Sequence, residues 1–227
     1  MKKVWYFLFI AAVPILGVAQ NYFTNSNLAY LPVTPNRIAF NLKTEGSPFL
    51  FKRFSNATIY LEHNKVISDI PVNLDFQNNE ILVLDEKRKL YAISVPVYRV
   101  VFEDPETGQE RTILSGLPGI EKQTEKSYYE LLFPGNVNLL KAITLYWSDS
   151  RAYHEAATTR KYEQVASYYI YNDTRGMIRL PKTIQDIAAS LHPAQADKLT
   201  KFIQDHQLNL KNEADLIKLI EHYNNGQ

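Results

Sequence analysis

Along residues 71–77, PVNLDFQ, the apolar Val72, Leu74 and Phe76 alternate with Asn73, Asp75 and Gln77, the period of a strand with one buried face. Asn78 and Asn79 follow. Paired asparagines tolerate the positive φ of a two-residue hairpin turn, which makes EILVL (80–84) the returning strand. Further strands are predicted at ATIYLE (57–62), LYAISV (90–95), YRVVFE (98–103), RTIL (111–114), YYELLF (128–133), NVNLLKAITLYW (136–147), SYYIYN (167–172) and MIRL (177–180). Pro96 lacks an N–H for a ladder and argues against one central strand across 90–103. DPETG (104–108) reads as a loop. Two connections are long, 116–127 and 148–164; the second is expected to be a flexible excursion between paired strands, with a helical turn at HEAATTRKYE as the alternative. Short, evenly spaced strands predict a mainly β (α+β) fold, an antiparallel meander forming a curled sheet, a barrel or a sandwich. The pattern does not choose among these closures.

After Leu180 the period changes to that of a helix. Ile184, Ile187, Ala188 and Leu191 stand at i, i+3, i+4 and i+7; so do Leu199, Phe202, Ile203 and His206, and again Leu216, Leu219, Ile220 and Tyr223. Thr183 with Asp186, and Asn212 with Asp215, have the spacing of an N-cap and its N3 partner, and Pro193 suits a helix start. Three helices this short do not persist alone in water, so they must pack on each other or on the sheet. The expected organisation is a β-domain over 37–180 and short helices over 181–227 packed on it.

The beginning of the chain adds a compartment. Lys2 and Lys3 precede an uncharged apolar run from Val4 to Val18, the pattern of a signal peptide, with Gly17 and Ala19 placed for cleavage after residue 19. Residues 20–36 are expected to form an extended, poorly ordered leader. Removing two of the 25 basic residues leaves 23 against 24 acidic ones, so bulk charge steers the chain neither to nucleic acid nor to anionic lipid. With no cysteine, a disulfide, a thiol nucleophile, a cysteine-ligated metal and a lipoprotein anchor are excluded. The expectation is an exported protein, periplasmic or extracellular, not lipid-anchored, with no integral membrane segment after cleavage.

The segment SYYIYNDTRGMIRLPKTIQDIAASLHPAQADKLTKFIQDHQLNLKNEADLIKLIEHYN (167–224) resembles the ending of a family of exported proteins of Gram-negative bacteria. In that family a tyrosine-rich strand leads through a charged turn to a helix and a tail of the form KFI…LNLK…EEDLIKLIEYYN. GSPFLF, VISDIPVNLDFQNNEIL and YYELLFPGNVNLLK are similar to its earlier landmarks, so the likeness spans roughly residues 46–224. This tail is less lysine-rich, and the loop 148–164 has no clear counterpart in the family. The resemblance implies architecture and compartment; it brings no enzyme activity, cofactor or catalytic residue.

Candidate chemistry is sparse. Ser115 in TILSGLPG lacks the G-x-S-x-G frame of an activated serine and reads as a loop residue; the eight glycines form no phosphate-binding loop. His63, His154, His192, His206 and His222 form no H-x-x-x-H pair, which points to solvation or helix-end roles rather than metal ligation. His154 with Glu155 is the least explained pair. Glu103 with Asp104, and Asp85 with Glu86, read as solvated turn residues, and the sequon Asn56-Ala57-Thr58 as accidental. No catalytic, cofactor-binding or metal residue is assigned.

The tyrosines carry the functional alternative. Tyr169 and Tyr171 should face one side of their strand and Tyr168 and Ile170 the other; Tyr128 and Tyr129, and Tyr146 and Trp147, are split likewise. They form either a core with amphipathic edges or a contact surface for an envelope protein or glycan. The leading functional expectation is a non-enzymatic interaction or structural component of the envelope. A carrier of an apolar ligand, with the helices as a lid, and an envelope hydrolase using His154 and Glu155 are the alternatives.

Overall fold

The computed structural model describes residues 31, 33–35, 43–151, 153 and 158–226. The proposed signal peptide, and His154 with Glu155, lie outside the described residues. Twelve strands are described: β1 (Val33–Pro35), β2 (Lys43–Glu45), β3 (Ser55–Leu61), β4 (Val66–Asp75), β5 (Glu80–Leu84), β6 (Leu90–Ile93), β7 (Val97–Glu103), β8 (Glu110–Leu114), β9 (Tyr129–Phe133), β10 (Asn138–Ser150), β11 (Thr159–Asn172) and β12 (Gly176–Arg179). They form one mixed sheet in the order β1-β6-β5-β4-β3-β7-β8-β9-β10-β11-β12, with β2 added to β11. The path does not close, so the structure is an open sheet and not a barrel. All pairings are antiparallel except β2 with β11.

Three local expectations are corrected. β1 lies in the segment read as a poorly ordered leader, yet it is hydrogen-bonded to β6. The turn after β4 has four residues rather than two, because Asp75 Oδ1 accepts the N–H groups of Gln77 and Asn78 and so draws Phe76 and Gln77 into it. Only Asn79 of the asparagine pair takes a positive φ, 54°. The connection 148–164 is mostly strand: β10 runs to Ser150, and β11 begins at Thr159. The meander is also interrupted once, since β7 pairs with β3 and not with β6.

One face of this sheet carries two apolar clusters. Inward side chains of β3 to β8, among them Ile59, Ile70, Val72, Leu74, Val100, Phe102 and Ile113, converge on a single core, which requires this half to curl. Past Ile113 the same face becomes ionic. Arg111 donates to both carboxylate oxygens of Glu130, at 2.6 and 2.9 Å, and to Asp104 at 3.2 Å; Lys141 pairs with Glu130 at 2.7 Å and Glu213 at 2.8 Å. Beyond this network lies the second cluster, where Val137, Leu139 and Ile170 meet the helices. On the opposite face Tyr129, Leu140, Ala142 and Tyr169 are covered by Leu117 and Ile120 of the 116–127 connection.

A strap crosses the opening of the curl. Its start, β2, lies along β11; its end lies along β4, where Leu50 N–H donates to Leu74 and Phe76 N–H to Pro48. Buried Asn73 acts as a further strand partner, accepting from Phe51 N–H and donating to Phe51 O. Gly46 makes the bend at φ +74°, and an added Cβ would stand 2.5 Å from Tyr162 O. Both the left-handed backbone and the contact with β11 therefore require glycine. Gly46→Ala is expected to destabilise the fold by about 2 kcal/mol, read as a lowered urea midpoint. An unchanged midpoint would show that the strap does not hold the curl.

The three predicted helices are present as α1 (Ile184–Leu191), α2 (Ala196–Asp205) and α3 (Glu213–Asn225). Thr183 accepts from Asp186 N–H as its spacing suggested. Asn212 instead caps Ala214, while Asp215 turns back to accept from Asn209 N–H. Pro193 opens a short 3-10 turn leading into α2. The buried stripes, Ile187, Ala188 and Leu191, then Leu199 and Ile203, then Leu216, Leu219, Ile220 and Tyr223, all join the cluster on the sheet. Asn224 fixes the end of α3 by exchanging two 3.0 Å hydrogen bonds with the backbone of Val137, over a Gly135 with no room for a Cβ.

Candidate functional site

Strands β10 and β11 pair without interruption from Asn138 with Tyr171 to Ser150 with Thr159. Their neighbours stop early: β9 reaches only Lys141, and β12 covers β11 only from Tyr169 to Asn172. Among the described residues the far half of the hairpin has one further strand partner, β2, along Thr159–Lys161. An isolated ribbon is marginal in water, and this one is held at two more places. Asp149 and Arg160, directly opposite each other, form a two-pronged pair at 2.7 and 2.8 Å. On the inner side Tyr162 OH donates to Gln77, and Gln164 Nε2 donates to the carbonyls of Ser47 and Phe49. Three large apolar side chains of the ribbon stand exposed: Tyr146 at 54 % and Val165 at 40 % on the outer face, and Trp147 at 52 % on the face it shares with Tyr162.

Beside the ribbon a groove of 840 Å³ opens between β11, the end of β12 and the loop joining α2 to α3. Leu180, Ile184, Leu208 and Leu210 give it apolar walls, and exposed Lys182 and Lys211 give it charge. Arg179, also lining it, is neutralised by Glu121 at 2.7 Å.

The tyrosines divide as their alternation predicts. Tyr169 and Tyr171 lie with Tyr129 under the 116–127 connection, and Tyr168 faces the helices, its OH donating to Glu213. Tyr129 meets Tyr169 edge-on at 5.6 Å, and burial pushes its phenol up to about 12. Its buried hydroxyl has no hydrogen-bond partner among the described residues. These tyrosines are core, whereas Tyr146 is surface.

The remaining candidates separate. Ser115 Oγ donates to Glu125 O at 3.2 Å, a loop tie. His63 sits exposed in a turn at φ 58°. His192 ends α1, and its buried Nδ1 is unpartnered among the described residues. His206 and His222 both pack on Phe202, His222 stacked at 3.7 Å. Asp85 accepts from Lys89 N–H in its turn. Asp104 corrects its reading as solvated: it is buried, caps the turn through Glu106 and Thr107 N–H, and pairs with Arg111. Among the described residues no group of three His, Asp or Glu is placed to hold a metal ion, and no helix is long and apolar enough to cross a membrane.

Sequence reasoning missed the network of Arg111, Glu130 and Lys141. Burial alone would raise the Glu130 carboxyl, but hydrogen bonds from Arg111 and the charge of Lys141 hold it below the usual carboxylate range. These groups are mutually satisfied, which suits them to joining the two halves of the sheet rather than to proton transfer. Comparison of the chain with known protein families, curated proteins and solved structures gives no match.

Proposed function

We propose that this protein is an exported, non-catalytic interaction component of the bacterial cell envelope that binds a protein partner through the β10–β11 ribbon. The observation that carries this reading is the ribbon itself, a hairpin braced by Asp149–Arg160 and by the strap that holds Tyr146, Trp147 and Val165 out in solvent. Large rigid aromatics on a braced support lose little conformational freedom on binding, and aromatics are enriched at protein interfaces. The signal-peptide pattern and the resemblance of the tail support the compartment. A carrier of an apolar ligand draws no support from the curled half, whose interior is occupied by buried Ile59, Ile70 and Phe102. The test is crosslinking in cells followed by affinity recovery, comparing the native protein with Tyr146→Ala/Trp147→Ala. The native protein should recover a reproducible envelope partner that the variant loses while keeping its melting temperature. Equal recovery by both would overturn the reading.

A further inference from the structure

We infer that the edge of β11 beside the groove accepts an extended, acidic segment of a partner protein as an added strand. Leu180 N–H donates to Tyr168 O, so the carbonyl of Tyr168 points away from β10. Carbonyl direction repeats every second residue along a strand, so the N–H and C=O groups of Ala166 and Gln164 point the same way. Among the described residues nothing pairs with them: the β12 ladder stops at Tyr169, and the β2 ladder stops at Lys161.

Each stop has a cause. Past Leu180 the chain leaves the ladder at Pro181 and turns into α1, whose N-cap is Thr183. At the other end Gly46 bends β2 away toward β4. The interruption leaves residues 163–167 as an open edge of about 17 Å at ~3.3 Å per residue, room for a short extended segment. Such edges in natural proteins are usually paired, covered or charged.

The groove selects the occupant. Ala166 and Tyr168 line it, so a strand added here would lie between β11 and the helical side. Its alternate side chains would meet the apolar wall formed by Leu180, Ile184, Leu208 and Leu210, within reach of Lys182 and Lys211. No carboxylate among the described residues lies within ion-pairing distance of either lysine. Backbone hydrogen bonds supply affinity in this mode of recognition, while pockets and charges for alternate side chains supply selectivity. A partner strand with Glu or Asp at alternating positions fits. A second copy of this chain fits poorly, because two such edges would bring the same lysines together. This site is separate from the exposed aromatics, so it stands or falls apart from the proposed function.

The test uses the signal-free protein labelled with ¹⁵N and titrated to millimolar levels with acetyl-Glu-Val-Glu-Val-Glu-amide, with the Lys-Val-Lys-Val-Lys peptide as control. The acidic peptide should shift and protect the amides of Gln164 and Ala166, and bind at least tenfold more tightly than the basic one. Lys182→Glu/Lys211→Glu should weaken it tenfold or more. Ala166→Pro removes the outward N–H without breaking a hydrogen bond to β10, and should also weaken binding without lowering the melting temperature. Tyr146→Ala/Trp147→Ala should bind the peptide as the native protein does. Equal binding of both peptides, or no binding of either, would overturn the inference. So would concentration-dependent protection of Gln164 and Ala166 without peptide, which would mark a self-paired edge.

Discussion

Deleting residues 181–227 is expected to abolish the cooperative thermal transition rather than shift it. The helices bury Val137, Leu139 and Ile170 on the sheet, and exposing these three costs about 2 kcal/mol each, or about 6 kcal/mol together. That is comparable to the whole stability of an ordinary domain. The deletion also removes Glu213 from Lys141 and Tyr168, and Asn224 from the backbone of Val137. The tail is thus the outer layer of the second core and not an appendage. Circular dichroism against temperature, with binding of a hydrophobic dye, checks this. A truncated protein that melts as the full chain does would refute it.

Glu130→Gln should cost about 3 kcal/mol, since it removes the anion shared by Arg111 and Lys141 in a site where Glu130 is only 9 % exposed. In a protein of this size that corresponds to a fall of about 6–12 °C in Tm. The same group sets an acid limit. Its folded carboxyl titrates below its ordinary value of 4.5, so between the folded and unfolded values the unfolded chain binds more protons and stability rises with pH. Its contribution is full above about pH 4.5 and is lost as pH falls through the folded value. The native protein should therefore lose stability more steeply than Glu130→Gln below about pH 4.5 when urea unfolding is followed against pH. Parallel acid profiles would assign the acid sensitivity to other carboxylates.

What could be read from the sequence follows from where the side chains are buried. Segments with one buried face announced themselves: Val72 and Leu74 alternate because they enter the curled core, and each helix shows its stripe because that stripe meets the sheet. The ribbon did not, because periodicity records burial and its outer half has little. In TRKYEQVA, Tyr162, Gln164 and Ala166 share one face and Lys161, Glu163 and Val165 the other, with no apolar stripe on either. The connection 148–164 therefore read as a loop where the chain makes its longest hairpin. The turn after β4 was misjudged because a side chain, Asp75, set its length. The pairing of β7 with β3 and the network of Arg111, Glu130 and Lys141 join residues from different strands, so no local spacing could signal them. The PGNV turn before β10 and the HYN at the end of α3 are brought together by Asn224 on Val137. Only the folded chain shows that contact.

Site-specific photocrosslinking in cells reports directly whether the ribbon is where a partner docks. A benzophenone amino acid would replace Tyr146 on the ribbon in one strain and Lys198, exposed on α2, in another. One reproducible envelope protein should crosslink from position 146 and be absent from position 198. Crosslinks of equal pattern from both positions, or from 198 alone, would contradict docking on the ribbon.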